Sequence, residues 1–142
     1  MAIGSLLVNI DVDDLEKAVR FYTAALDLRV GRRFGNDAIE LLGAEAPLYL
    51  LKKAAGTPPF ASNAREHVGP RDYGRHWTPV HLDFVVPQLE EALRRVEAAG
   101  ATREGGISEH AWGRIALLAD PFGHGLCLLE LGARGYDAIT TG

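Results

Sequence analysis

The chain has a single cysteine among 142 residues, which excludes an internal disulfide framework and agrees with a reducing compartment. Long apolar runs are missing as well: none approaches the roughly 20 residues a membrane-crossing helix needs. An excess of basic charge is also absent. The formal net charge is −4, and the arginines are scattered among acids rather than gathered on one block, so no nucleic-acid partner is expected. The opening "MAIGSLLVNIDV" has neither a basic leader nor a long apolar segment ending in a small-residue cleavage site, so the expected location is cytoplasmic, without a membrane partner. No GxGxxG or phosphate-binding glycine loop is found, so no nucleotide cofactor is indicated, and GxSxG, HExxH and paired CxxC motifs are lacking too.

What is present is the mix of a soluble globular protein, 47% hydrophobic and 24% charged. A chain of this length suits one domain and can bury roughly 68–70% of its extended surface. A single domain over residues 1–142 is therefore expected.

That domain is written twice. With Asn9 laid on Asp83, "NIDVDDLEKA" falls on "DFVVPQLEEA", matching Leu15 with Leu89, Glu16 with Glu90 and Ala18 with Ala92. Each copy opens with a short apolar-rich run, "LLVNIDV" and "VHLDFVV", which suits a half-buried strand. A helix follows in each. Leu15, Ala18, Val19, Tyr22, Ala25 and Leu26 recur at spacings of three and four, as do Leu89, Ala92, Leu93, Val96 and Ala99. Asp13 is expected to cap the first helix; Pro87 is expected near the first turn of the second, and Gly100 at its end.

Three strand candidates follow each helix: "LRVGRRF", "DAIELLG" and "PLYLLKK", then a weak, glycine-interrupted "ATREGGISEHAW", "GRIALLA" and "GLCLLEL". The last strands also match, Tyr49 lying over Cys127, so the second copy has gained four residues inside. The modules span 5–53 and 78–132. Between them residues 54–77 form a long polar, Gly- and Pro-rich loop, of the kind that often binds or covers a ligand.

A strand, a helix and three strands, all doubled, together with "DLEKAVRFYTAALDL" and "DPFGHG", resemble the vicinal oxygen chelate superfamily, which includes glyoxalase I, extradiol dioxygenases, fosfomycin-resistance enzymes and bleomycin-resistance proteins. The resemblance covers about Leu6 to Leu131. It implies an α+β fold of two βαβββ modules, each sheet curling into half of a cup, commonly completed across a homodimer. In metal-dependent members the first and last strand of each module supply one ligand apiece, usually two histidines and two glutamates. On this sequence the four places fall at Leu7, Tyr49, His81 and Cys127, and only His81 matches. Leucine has no lone pair and a neutral phenol is a poor ligand, whereas a catalytic zinc normally takes three protein ligands plus water. No metal and no other cofactor is therefore expected; a divalent ion stays open, with the usual ligand set incomplete.

Strand alternation puts Asn9 and Asp11 on the face of Leu7, and Asp83 on that of His81. Three readings follow. His81 is a proton carrier oriented by Asp83 or Asp11; or Asp11, His81 and Asp83 hold an unusual metal; or these groups line a ligand pocket, hydrogen-bonded to one another. Cys127 reads as a small core residue. His124 reads as a solvated turn residue. His67, Arg71, Asp72, Tyr73, Arg75, His76 and Trp77 cluster just before His81, where Trp77 could stack on a guest and Arg71 or Arg75 could meet an anion. His110 and Trp112 flank a later turn.

The expected function is binding of a small organic molecule in a concave cleft without the usual metal, the ligand-binding candidates being Leu7, Asn9, Tyr49, Arg75, Trp77, Trp112 and Cys127. The rival is a glyoxalase-type lyase or isomerase, or a dioxygenase, using His81 with Asp83 or Asp11 as acid and base. Whether the chain is an enzyme is left undecided.

Overall fold

The structure, a computed structural model, describes residues 4–59 and 69–142, so His67 lies outside the described residues. The chain divides into two compact units, Met1–Gly74 and Arg75–Gly142. Each is a βαβββ module with one helix on one face of a four-stranded mixed sheet, an α+β architecture. No helix among the described residues is long and apolar enough to cross a membrane.

The first unit runs β1 (Val8–Val12), α1 (Leu15–Leu26), β2 (Arg29–Phe34), β3 (Ala38–Leu42) and β4 (Leu48–Lys52), with sheet order β1-β4-β3-β2. β1 and β4 are parallel; the other pairs are antiparallel. The period-two pattern sends Ile10, Val12, Ile39, Leu41, Leu48 and Leu50 to the core, where they meet Leu15, Ala18, Val19, Tyr22 and Ala25 of α1. Each such aliphatic side chain contributes roughly 1.5–3 kcal/mol on full burial. Phe21, outside the expected stripe, is buried too and meets Tyr22 edge-on at 4.8 Å.

The helix cap differs from the expectation by one residue. Asp14, not Asp13, is the N-cap, its carboxylate accepting from the Lys17 N–H at 2.9 Å. Asp14 holds the extended backbone of an N-cap, φ −128°, ψ 104°, from which its carboxylate reaches the third amide of the helix.

The second unit runs β5 (Leu82–Val85), α2 (Leu89–Ala99), β6 (Thr102–His110), β7 (Gly113–Ala119) and β8 (Gly125–Leu131), with order β5-β8-β7-β6, and ends in a 3-10 turn, Gly135–Ile139. Here β5 and β8 are the parallel pair. Leu89, Ala92, Leu93 and Val96 bury the apolar stripe of α2. Pro87 stands just before the N-cap residue Gln88 rather than inside the first turn, and Gln88 makes no side-chain cap bond. The missing acceptor comes from another strand: Glu130 of β8 accepts the Leu89 N–H at 2.7 Å.

The stretch expected to be a weak strand is instead nine residues long. It pairs with β7 at both ends and shifts register between Glu104 and Ser108, so Gly105 and Gly106 sit in a bulge instead of ending the strand.

Candidate functional site

On the second unit's sheet the face opposite α2 carries His81 and Asp83 at the edge strand, then Cys127, then Leu117, since Asp83 pairs Cys127 and Cys127 pairs Leu117. Trp77 reaches this face because Gly125 has no side chain. A Cβ there would overlap the Trp77 ring, so only glycine lets the indole lie against β8. The indole meets the His81 imidazole at 4.6 Å, rings tilted by 36°, and the Arg75 guanidinium at 5.6 Å. Arg75 in turn binds Glu104 of β6 through both its Nε, at 2.6 Å, and its Nη2. Trp77 nevertheless stays 46% exposed, and the same sheet face leaves the side chains of Val85 and Leu117 open.

Beneath this row lies a tight polar group. His81 Nε2 is 3.1 Å from Asp83 Oδ1, and the Cys127 thiol hydrogen-bonds the Asp83 carboxylate. Burial pushes that thiol up from 9.0 to about 12, and the neighbouring Asp83 charge and hydrogen bond add to the shift. Cys127 is 1% exposed and stays a neutral thiol near pH 7, which disqualifies it as a nucleophile there. The donor atoms of His81, Asp83 and Cys127 lie within 4.8 Å of one another, the only cluster of three or more such residues among those described.

The segment leading to Trp77 is fastened by the "DPFGHG" turn. Asp120 Oδ1 accepts the N–H groups of Phe122 (2.8 Å) and His124 (2.9 Å), and the His76 N–H reaches Gly123 O at 2.9 Å. His124 is not a merely solvated turn residue: its Nδ1 lies 2.7 Å from His76 Nε2. The bridge between the two residues could not be read from a turn motif, because its partner arrives from 48 positions away.

In the first unit the equivalent face holds Asn9 beside Tyr49 and Tyr49 beside Glu40. Glu40 is only 5% exposed and is fully engaged. Arg32 reaches it with Nη2 at 2.6 Å, and the Tyr49 hydroxyl donates to it at 2.8 Å. Hydrogen bonds from Arg32, then Tyr49, hold the Glu40 carboxyl down at about 2. Arg32 also donates to the Tyr49 oxygen at 3.0 Å, and Glu40 raises the phenol above its usual range. Gly31 permits this, since a Cβ there would meet the Glu40 carboxylate. Sequence reasoning passed over Arg32 and Glu40. The available signal was the single charged residue within "AIELL", placed by alternation opposite the core-facing Ile39 and Leu41.

The remaining candidates are placed as follows. Asp11 accepts from Arg71 Nε at 2.7 Å, and Arg71 also donates to Pro58 O at 2.7 Å, so this arginine ties loop to sheet within the first unit. Asp72 turns its carboxylate onto the Gly74 N–H at 2.8 Å, and the Tyr73 hydroxyl donates to Lys53 O at 2.6 Å. Trp112 lies between His110, stacked at 5.0 Å, and Tyr136 at 5.5 Å. It adjoins Gly113, which pairs with Leu131, six residues along β8 from Gly125 and hence roughly 20 Å from the Trp77 row.

The family's four metal positions do not supply its usual ligands. Leu7 offers only carbon and is 54% exposed, and Tyr49 spends its hydroxyl on Glu40 and Arg32. His81 and Cys127 alone keep donor atoms for such a centre.

A family model described as glyoxalase-like domain matches residues 7–129. No curated protein matches the chain in sequence. Among solved structures, the fosfomycin resistance protein FosX from Listeria monocytogenes superposes with a TM-score of 0.69 at 16% identity, covering 94% of this chain and 98% of its own. TioX from Micromonospora sp. ML1 gives 0.66 at 19% identity over 91% and 99%. A glyoxalase/bleomycin resistance protein/dioxygenase family enzyme from Burkholderia phytofirmans PsJN gives 0.64 at 15% identity over 89% and 97%. At these identities the likeness is one of fold.

Proposed function

The chain belongs to the glyoxalase-like domain family, within the vicinal oxygen chelate superfamily, and on that premise we propose that it binds a small organic molecule against the helix-free face of the second unit's sheet, without the family's four-position metal centre. The observation that carries this reading is the Trp77 platform. Its indole is steadied by His81 and Arg75, seated on Gly125, and still 46% exposed, on a face that also leaves Val85 and Leu117 open. A flat guest stacked there gains aromatic contact on a surface already ordered before binding, which lowers the entropic cost of association. We also propose a homodimer, as the resemblance implies, and a location in the reducing interior of the cell, which the single cysteine supports; sedimentation equilibrium reads the assembly directly.

The test uses the fact that the chain has two tryptophans. In a Trp112→Phe background the emission reports Trp77 alone. Small aromatic and heteroaromatic molecules that raise the melting temperature should quench that emission, and Trp77→Ala should abolish the melting shift. A panel in which no compound does either, or in which Trp77→Ala binds as tightly as its parent, overturns the reading.

The 3.1 Å approach of His81 to Asp83 favours a second reading, acid–base chemistry of glyoxalase type with Asp83 orienting the imidazole. On that reading His81→Ala abolishes turnover of a genuine substrate with the fold intact. Full activity in that variant removes His81 as the acid or base.

A further inference from the structure

We propose that the pair His76 and His124 is an acid-operated latch, which holds the segment carrying Trp77 on the "DPFGHG" turn while the two rings share at most one positive charge and releases it when both are charged. His76 Nε2 and His124 Nδ1 stand 2.7 Å apart, with the rings edge to face at 4.7 Å between centroids. At that separation one proton lies between the two nitrogens, so one ring donates and the other must keep a lone pair. A first added proton goes to the far nitrogen of the donating ring and leaves the bridge intact. A second can go only to the accepting nitrogen, where it removes the acceptor and sets two imidazolium rings side by side. The closed latch therefore resists its second proton and the open one does not, so acid favours the open form. Imidazoles are the side chains that ordinarily change charge in the mildly acidic range.

The pair sits where its loss has a consequence. The segment from Arg75 to Trp77 meets the turn through one isolated bridge rather than a strand ladder. Beside the ring pair stand the His76 N–H on Gly123 O at 2.9 Å and Arg75 Nη1 on the same oxygen at 3.3 Å, neither of which changes charge in that range. Asp120, whose Oδ1 accepts the His124 N–H at 2.9 Å, faces the pair from the turn. Arg75, bound to Glu104 of β6 at 2.6 Å, faces it from the segment, and His81 lies beyond the indole at 4.6 Å. Among the described residues Asp120, Glu104 and Arg75 leave one negative charge there, which balances one imidazolium and not two. Trp77 follows His76 directly and touches the sheet over Gly125, so release of His76 frees the indole from β8. The effect on a guest rests on the Trp77 reading above: apparent affinity falls by the factor by which the closed population falls. The latch itself needs no guest.

The experiment is a titration of the full chain in the Trp112→Phe background from about pH 7.5 to about pH 5.5, read by the wavelength of Trp77 emission, with far-ultraviolet circular dichroism on the same samples. The expected result is a reversible shift to longer wavelength on acidification, with the dichroism unchanged. His124→Gln and, separately, His76→Gln keep a neutral hydrogen-bonding side chain that takes up no charge, and each should abolish the shift. His81→Gln removes the imidazole packed on the indole and should retain it, which separates the latch from titration directly beside Trp77. An emission maximum that stays put in the parent, a shift that survives in either His124→Gln or His76→Gln, a shift lost in His81→Gln, or a shift accompanied by loss of secondary structure overturns the proposal. With no guest in the cuvette, a failed search for guests leaves the latch standing, and a silent titration leaves the Trp77 reading standing.

Discussion

A methyl group at Gly125 would occupy the space of the Trp77 ring, so this one position decides whether the indole lies on the sheet or is expelled from it. Gly125→Ala is expected to destabilise the protein by about 1–3 kcal/mol, the usual cost of overpacking. In the Trp112→Phe background it should also shift Trp77 emission to longer wavelength; an unchanged denaturation midpoint and spectrum would count against the close contact. Cys127 makes the opposite kind of prediction. At 1% exposure, and with its thiol raised to about 12, it should resist alkylation at pH 8 in the folded protein and react at once in denaturant. Fast labelling of the native chain would contradict both its burial and its protonation.

At the scale of elements, the two helices are started by different means. α1 begins on its own neighbour, Asp14, and Asp14→Ala should cost about 1 kcal/mol in chemical denaturation. A loss within error would mean that the Lys17 amide is satisfied by water. α2 lacks a local cap and borrows Glu130 from β8, 41 positions away, so no reading of the residues around Gln88 could have found it. The same contrast separates the strands. The alternation in "DAIELLG" and "GLCLLEL" was legible because a half-buried strand must repeat every second residue. β6 was underestimated, because glycine usually weakens a strand, and whether it becomes a bulge depends on the partner strand.

Across the whole molecule, carboxylates are held low by arginines and backbone amides: Glu40 and Glu90 at about 2, with Glu104 and Glu130 also lowered. A depressed folded-state value means that the stabilisation is complete above the ordinary value near 4.5 and is lost as pH falls toward 2. The melting temperature should therefore hold from pH 7 to about pH 5 and drop steeply below. Glu40→Gln should lower it at pH 7 and flatten part of the acid limb. A wild-type melting temperature that is level from pH 5 to pH 3 would show that these pairs contribute nothing net, the outcome common for exposed ion pairs.

The doubled βαβββ plan, the helix stripes and the face on which His81 and Asp83 sit were set by the amino-acid order itself, because periodicity and turn chemistry are local properties of the chain. Tertiary structure alone decided that Arg32 and Tyr49 converge on Glu40, that Asp11 is taken by Arg71, and that Cys127 ends beside His81 and Asp83, more than 40 positions away. Those meetings depend on which strand pairs with which and in what register, and strand pairing brings together residues that local pattern cannot connect.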